Sequence, residues 1–363
     1  MPDDVITQRE LNRALLARHM LLDRRDVSVV EAVERVAGMQ GQQPRPPFVG
    51  LWSRIRDFDA GELRRAYQDR TVVRATLMRA TLHVMSAADY QRFRAPLQPM
   101  LTAAFRGVLR QRADGIDLPL LLERARKHFA AGPSTFGELR AALANQFPDL
   151  DERAMGYTVR LNLPLVMIPD DSRWSFPANA RFTLSQSWLA RAPDDDQNPE
   201  GLVRSYLSAF GPASAADLQA WSGLRGMQAV IKSMRSDLVV FRDERKWELF
   251  DVPKAPRPSP DTPAPIRFLP DFDNILLGHA DRSRIIADEH RPRVVTKNLL
   301  ILAAFLVDGL VAGTWKIDRQ RNAVTLTLSP FERLKKPILT ALSEEGERLM
   351  RFVEPEADSY SVA

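Results

Sequence analysis

The stretch FAAGPSTFGEL at residues 129–139 returns later in the chain as SAFGPASAADL at residues 208–218. Each copy places a Gly-Pro turn between two helical patterns, and the two turns lie 79 residues apart. A turn that recurs in the same pattern context favours a repeated structural unit over coincidence. The sequence therefore predicts an internal repeat of domains.

The surroundings of both copies predict several helices followed by a β-hairpin. After the first copy, a third helix is predicted at about 151–161, and the strand, turn and strand at 165–168, 169–172 and 174–176 form a hairpin. After the second copy, a helix at 226–236 precedes strands at 238–241 and 247–250. Helices followed by such a hairpin are typical of a winged helix.

The first 85 residues predict the same order. Thr7 with Glu10 and Ser28 with Glu31 have the spacing of capping boxes, which begin two amphipathic helices. Two shorter helical patterns follow, and strand propensity predicts β-structure over residues 72–85. This region is the third copy of the pattern.

The predicted fold class is α+β, with three tandem winged-helix modules and a β-rich C-terminal region closed by a helix. We assign residues 1–115 to the first module, 116–192 to the second and 199–252 to the third. A proline-rich linker at 253–265 precedes the C-terminal domain, residues 266–354.

Composition excludes several classes of protein. The chain has 363 residues, of which 45% are hydrophobic and 27% charged, as in ordinary globular proteins. No apolar stretch is long enough for a membrane span, and the start is acidic, unlike a signal peptide. There is no cysteine, and the five histidines lack metal-ligand spacing. We expect a cytoplasmic, nucleoid-associated monomer without metal, cofactor or membrane contact.

The charge distribution favours a nucleic-acid partner. The formal net charge is +5, and residues 1–115 contain 19 arginines against 13 acidic residues. Arginine suits phosphate because its planar guanidinium donates two hydrogen bonds at once. We therefore expect a duplex DNA surface that includes the first module.

The polar segment GQQPR at residues 41–45, preceded by Gln40, is the main candidate for chemistry. The chain has no nucleophile elbow, phosphate-binding glycine loop or dinucleotide-binding fingerprint. On the residues alone, the simpler interpretation is a polar helix terminus whose amides cap the last carbonyls.

A family resemblance changes that interpretation. From Ile6 to about Val353 the chain resembles the winged-helix DNA glycosylases related to azinomycin-resistance and crosslink-unhooking enzymes. The matching segments are QGQ at 40–42 with PR at 44–45, LW at 51–52, LMRATLH at 77–83, LPDFDN at 269–274, HADRSR at 279–284 and VDGLVAGTW at 307–315.

The resemblance implies that the three winged-helix modules form a concave, basic DNA-binding surface. It also implies that Gln40 and Gln42 are the catalytic pair. Two departures from the family pattern stand out. Gly41 occupies the middle position, where the family has an aliphatic residue, and Ala80 stands where glycine is common. The first departure removes a side chain between the two glutamines.

Glutamine suits the hydrolysis of an N7-alkylated purine. Its amide has no useful pKa, but this base is already cationic and departs neutral, so it needs little acid assistance. An amide carbonyl can hold water and stabilise oxocarbenium charge. Residues 1–126 contain no lysine, so no side-chain amine there can form a Schiff base, and we expect no lyase activity.

Seven further residues are predicted to contact DNA: Gln43, Arg45, Arg74, Arg79, His83, Arg282 and Arg284. For the two arginines of the first wing, a solvated strand face is an equal alternative. For His83 the alternative is a hydrogen-bonded core residue, and for the last two arginines it is a salt-bridge cluster between domains.

The predicted function is a monofunctional DNA glycosylase acting on N7-alkylated purines in duplex DNA, extending to bulky natural-product adducts or interstrand cross-links. The alternative is a non-catalytic winged-helix transcription regulator, because most winged helices serve that role. A pure interaction scaffold is a third interpretation, which the arginine surplus of residues 1–115 disfavours.

Overall fold

Capped helices and short strands alternate through the first three quarters of the chain, and strands dominate the rest. The computed structural model describes residues 5–108, 117–148, 150–296, 298 and 300–363. Its fold is mixed α and β, as predicted. The predicted boundary between the first two modules, at residues 115 and 116, lies outside the described residues.

The N-terminal region begins with the two predicted helices. Thr7 and Glu10 form a complete capping box, whereas Ser28 caps its helix by accepting from the Glu31 N–H. The elements are β1 (Val5–Ile6), α1 (Gln8–Arg18), α2 (Val29–Arg35), β2 (Met39–Gln40), α3 (Arg45–Trp52), α4 (Ala60–Gln68), β3 (Val72–Thr76), β4 (Leu82–Ser86), α5 (Ala87–Phe93) and α6 (Gln98–Val108).

The second region corrects one predicted strand. Its elements are α7 (Leu118–Ala131), α8 (Phe136–Ala142), α9 (Glu152–Asn162), β5 (Leu165–Met167), β6 (Phe182–Leu184) and α10 (Ser185–Leu189). The strand predicted at 174–176 is a turn, because Ser175 has a left-handed backbone with φ of 64° and its N–H donates to the Ser172 carbonyl. The strand that pairs with β5 is β6.

The third region follows the predicted order of three helices and a hairpin. Its elements are α11 (Glu200–Phe210), α12 (Ala215–Ser222), α13 (Met227–Ser233), β7 (Val239–Asp243) and β8 (Glu248–Asp251).

The C-terminal region is a sheet covered by a long helix. Its elements are β9 (Arg267–Leu269), α14 (Arg291–Val294), β10 (Ala304–Val307), β11 (Leu310–Gln320), β12 (Ala323–Pro330), α15 (Lys336–Val353) and β13 (Ser359–Val362). The strand order is β13-β12-β11-β10-β9, and β13 pairs with β12 in parallel.

The two repeated turns make the same pairing. Ser134 exchanges both backbone hydrogen bonds with Phe182 of β6, at 2.9 and 2.8 Å. Ala213 does the same with Phe250 of β8, also at 2.9 and 2.8 Å. Each Gly-Pro turn therefore adds an isolated β-bridge to the hairpin of its own region.

The hairpins do not form separate sheets. In one five-stranded sheet, the order β2-β4-β3-β5-β6 joins the first region to the second through the Ala75–Val166 pairing. The N-terminal strand β1 pairs in parallel with β7 of the third region. These pairings cover strand edges that would otherwise expose unpaired backbone groups.

Two buried ion pairs connect the first region to other parts of the chain, one to the C-terminal region and one to the third region. Arg54 binds Asp273 through two hydrogen bonds of 2.8 and 2.9 Å, and Arg18 binds Asp251 through two of 2.8 Å. All four side chains are about 1% exposed or less. Among the residues that the structure describes, no helix has the length and apolarity needed to cross a membrane.

Candidate active site around Gln40

The segment that carries Gln40 leaves helix α2 through a left-handed turn. Ala37 and Gly38 have φ of 54° and 82°, and the Gly38 N–H donates to the Val33 carbonyl at 2.9 Å. The chain then enters β2, where Gln40 stands opposite His83 of β4. The interpretation of the glutamines as a helix terminus is therefore wrong, since the helix has already ended.

Gln40 is held at both its backbone and its side chain. It is 7% exposed, and its Oε1 accepts a hydrogen bond of 2.8 Å from Nη2 of Arg79. Its backbone N–H donates to Oδ1 of Asn274 at 3.2 Å. The Asn274 amide also donates to the carbonyls of Val36 and Gly38. A residue of the C-terminal region thus fixes the whole turn before Gln40.

Gln42 is exposed but also anchored. Its Oε1 accepts from the backbone N–H of Leu82 at 3.2 Å. The next residue, Gln43, is exposed, and Arg45 is half-buried at the start of α3. The segment from Gln42 to Arg45 therefore lies at the surface beside Gln40.

Arg74 is buried beneath the loop of Gly41 and Gln42 and binds its backbone. It is 3% exposed, and its guanidinium donates to the Gly41 carbonyl at 2.8 Å and the Gln42 carbonyl at 3.1 Å. Burial lowers the pKa of Arg74 to about 10, so it stays charged at neutral pH. Neither a DNA contact nor a solvated strand face fits this burial, since the guanidinium is committed to the glutamine loop.

Gly41 lies where space is limited. A Cβ at this position would come within 3.1 Å of Cγ2 of Val84 and 3.5 Å of Cγ of Pro47. The absence of the family's aliphatic side chain thus matches the close approach of β4.

Arg79 occupies a strained turn between β3 and β4. Arg79 and Ala80 have φ of 54° and 59°, a conformation that explains why glycine is common at the second position in the family. Nη1 of Arg79 donates to the Trp221 carbonyl, while Nη2 binds Gln40. Arg79 therefore connects the glutamine to the third region.

Among the residues that the structure describes, no carboxylate is paired with the charge of Arg79. Within the described parts of the chain, every polar contact of its guanidinium is with a neutral group: Gln40, the Trp221 carbonyl and, at 3.5 Å, Nε2 of His83. Burial and then the charge of Arg282 lower the pKa of Arg79 to about 10. It remains a cation at neutral pH.

His83 is a neutral core residue. It is 1% exposed, and Nδ1 lies 3.0 Å from the Thr81 carbonyl, so Nδ1 carries the proton. Burial, reinforced by Arg79, lowers the pKa of His83 to about 3. The lone pair of Nε2 therefore faces Arg79. This placement favours the hydrogen-bonded core alternative over a DNA contact.

The two C-terminal arginines differ from each other. Arg284 is 5% exposed, donates to the Pro212 carbonyl at 2.8 Å and lies near Asp217, as the domain-joining alternative expects. Arg282 is half-buried, and its Nε lies 3.4 Å from the His279 carbonyl. Burial and then Arg291 lower the pKa of Arg282. Of the two arginines, Arg282 is the more exposed.

Sequence reasoning missed the distant partners of Arg54 and Gln40, which are Asp273 and Asn274. Asp273 and Asn274 are a polar pair inside the apolar run FLPDFDNILL at 268–277, which is the one signal that could have indicated a buried polar role. The Trp221 carbonyl carries no signal in sequence.

The fold and the sequence of this chain are similar to those of known DNA glycosylases. The fold matches Streptomyces sahachiroi DNA glycosylase AlkZ with a TM-score of 0.80 and 21% identity, covering 99% of this chain and 100% of that one. The interstrand DNA cross-link repair glycosylase of Streptomyces sahachiroi is 24% identical over 360 residues, covering 93% of this chain and 94% of that protein. Residues 33–352 match the family model for AlkZ-like DNA glycosylases.

The protein is thus a DNA glycosylase, an enzyme of DNA repair. The chain belongs to the AlkZ-like DNA glycosylase family. The predicted family resemblance is confirmed, and the transcription-regulator alternative is set aside.

Proposed function

We propose that the protein hydrolyses the N-glycosidic bond of N7-alkylated purines in duplex DNA, with Gln40 and Gln42 as catalytic residues. The observation that carries this proposal is the anchored pair itself. Both glutamines lie against β4, and each side-chain carbonyl is held by a specific donor, Arg79 or the Leu82 N–H. Rigid placement is what catalytic groups that do not titrate, such as amides, need.

The chemistry of the substrate matches these groups. An N7-alkylpurine is cationic, so breaking its bond to the sugar neutralises the base and needs no proton donor. The remaining requirements are a water molecule and a stabilised transition state, which dipoles supply without titrating. Among the described residues, the side chains in contact with Gln40 include no carboxylate.

The winged-helix arrangement is part of the proposal. The repeated pairing of Ser134 with β6 and Ala213 with β8 supports a structural relation between the second and third modules. We propose the first module and the predicted boundaries from the sequence pattern. The three modules would form a concave surface for the duplex. Gln43, Arg45 and Arg282 would contact DNA there, the first two beside Gln42 and the third beside Arg79.

The name of a relative suggests the range of lesions. That relative is named for interstrand cross-link repair, so we propose that this enzyme also accepts bulky N7 adducts or cross-links of genotoxic natural products, which would give self-resistance. It would act as a monomer on the nucleoid in the cytoplasm.

Cleavage should stop at the abasic site. A lyase step needs an amine that forms a Schiff base with the sugar, and residues 1–126 contain no lysine. We therefore propose a monofunctional enzyme.

One assay tests the reaction class. The protein is incubated with a duplex that carries a single N7-methylguanine, and alkali then cleaves any abasic site. We expect cleavage only after alkali, no borohydride-trapped adduct, and no cleavage of an undamaged duplex. Failure to release either N7-methylguanine or a bulkier N7-alkylguanine would contradict the proposed function.

A further inference from the structure

The orientation of the two glutamine amides is fixed by their hydrogen bonds. A guanidinium and a backbone N–H can only face an amide oxygen, so Arg79 and Leu82 bind the oxygen end of each amide and leave the nitrogen end pointing away from them. Within the described residues, no protein acceptor is bonded to Nε2 of Gln40 or Gln42. Each amide therefore keeps two unused N–H donors.

Arg79 is itself held from three directions. The Trp221 carbonyl accepts from one nitrogen, the lone pair of neutral His83 faces another, and the backbone is confined to a left-handed turn. The third region also packs against this turn. Gly223 is so close that a Cβ added to it would lie 3.4 Å from the backbone of Arg79. These contacts leave the guanidinium little freedom to leave Gln40.

We propose that Arg79 is a positioning residue that holds Gln40 with its amide nitrogen toward the bound nucleotide, where Gln40 donates a hydrogen bond to the departing purine. This inference rests on the proposed function. It replaces the carbonyl role expected from the sequence with a donor role, because the carbonyl oxygen is already bound to a cation.

The donor role fits the movement of electrons. As the bond between C1′ and N9 breaks, its electron pair moves onto the purine and neutralises the ring, while water bonds to C1′ and releases a proton to solvent. The purine gains electron density in this step, and an N–H donor beside it stabilises that change. A guanidinium on the amide oxygen polarises the amide and strengthens its N–H donors.

The isosteric change Gln40→Glu separates a role of the Gln40 carbonyl from a role of its N–H donors. Excision by Q40E is compared with excision by the parent and by Q40A. A carboxylate retains the acceptor toward Arg79 and loses both N–H donors. If Gln40 is a donor, single-turnover excision by Q40E falls by about tenfold or more at saturating enzyme. A smaller loss, or a faster rate, overturns the inference.

The added negative charge has a matched control. Gln197 is exposed in the acidic linker between the second and third regions, so Q197E adds the same charge away from the site. It should excise at the parent rate. Saturating enzyme separates the rate of excision from any weaker binding of DNA.

A double-mutant cycle tests whether Arg79 acts through Gln40. R79A should lower the single-turnover rate while leaving DNA affinity and its salt dependence near the parent values, and R79K should recover part of the rate. Because both residues serve one function, R79A with Q40A should be no slower than Q40A alone. Additive losses, or a salt slope that falls by about one, would instead assign Arg79 a structural or phosphate-binding role.

The two proposals fail in different ways. If the parent excises no N7-alkylguanine, the proposed function fails. If the parent is active and Q40A is slow but Q40E is not, the function stands and only the donor role is lost.

Discussion

Arg54 and Arg79 are two arginines that join the first region to distant parts of the chain, and they differ in what receives their charge. Arg54 is about 1% exposed and binds both oxygens of Asp273. Within the described parts of the chain, the groups that Arg79 binds are neutral, and one of them is Gln40. The first is an ion pair between regions, and the second leaves a positive charge beside the candidate catalytic amide.

In this chain, one buried arginine stabilises the fold and another acts on the candidate catalytic amide. A buried cation with a bidentate carboxylate is locked in place and is strongly destabilising to break. A cation that is surrounded by neutral acceptors is not neutralised by a counter-charge. Its electric field therefore acts on a neighbouring anion or dipole. The two sites are linked, because Asp273 is followed by Asn274, which holds the backbone of Gln40.

The largest effect is expected at the ion pair. Arg54→Ala leaves Asp273 buried without its partner and should lower the free energy of unfolding by about 3–5 kcal/mol. Chemical denaturation measures this loss. Arg56→Ala, at an exposed position with a weak 3.5 Å contact, is the control and should change stability little. A loss at Arg54 no greater than at Arg56 would remove the contrast between the two arginines.

A change at Asn274, which connects the Arg54 ion pair to Gln40, is expected to have an intermediate effect on stability. Asn274→Ala deletes three hydrogen bonds to the turn around Gln40 and should destabilise the protein by about 1–3 kcal/mol. It should also slow excision at saturating enzyme, since the Gln40 backbone loses its support. Unchanged excision in a folded Asn274→Ala variant would show that the C-terminal region does not position the glutamine.

Acid should lower the free energy of unfolding through His83, the neutral neighbour of Arg79. The pKa of His83 is about 3 when folded and about 6.5 in an unfolded chain, so its stabilising contribution is complete above pH 6.5 and is lost as the pH falls toward 3. Within this window His83 should steepen the loss of stability by up to about 1.4 kcal/mol per pH unit.

Comparison of the parent with His83→Gln isolates this contribution. The free energy of unfolding is measured from about pH 7 to about pH 4.5 for both proteins, a range that lies mostly below the unfolded pKa of histidine, and the parent should lose stability more steeply. Parallel profiles would mean that His83 titrates normally and is not the neutral neighbour of Arg79.

DNA binding should distinguish the half-buried arginines Arg45 and Arg282 from the fully buried Arg284 by about one unit of salt slope. Arg45→Ala and Arg282→Ala should each weaken duplex binding and lower the slope by about one, because one phosphate contact is lost. Arg284→Ala should leave the slope unchanged, since its guanidinium faces the Pro212 carbonyl inside the protein. Equal slopes for all three variants would contradict the assignment of the DNA surface.

The smallest effect is expected at Gly41. A Cβ would come 3.1 Å from Val84 Cγ2, so Gly41→Ala requires only a small movement of one side chain. We expect a loss of about 1 kcal/mol or less in stability, at the low end for added volume in a core. Excision by the variant should stay within about threefold of the parent. A far larger loss would show that glycine is required between the two glutamines.

Local features of this molecule were predictable from sequence, whereas long-range partners were not. The capping box at Thr7 and the repeated Gly-Pro turns depend on neighbouring residues, so their signals lie within a few positions. The contact of Asn274 with Gln40 spans 234 positions and is set by packing. Arginines at 74, 79 and 284 looked alike in sequence, and only the fold separated their partners.

The most direct test compares Gln40→Ala and Gln42→Ala with the parent in single-turnover excision of N7-methylguanine, with duplex affinity measured in parallel. Losing one positioned dipole should slow excision by about 10²-fold. Affinity should change by only about 1 kcal/mol, the ordinary net value of a hydrogen bond. If both folded variants excise the base at the parent rate, the glutamines are not the catalytic residues and the active site lies elsewhere.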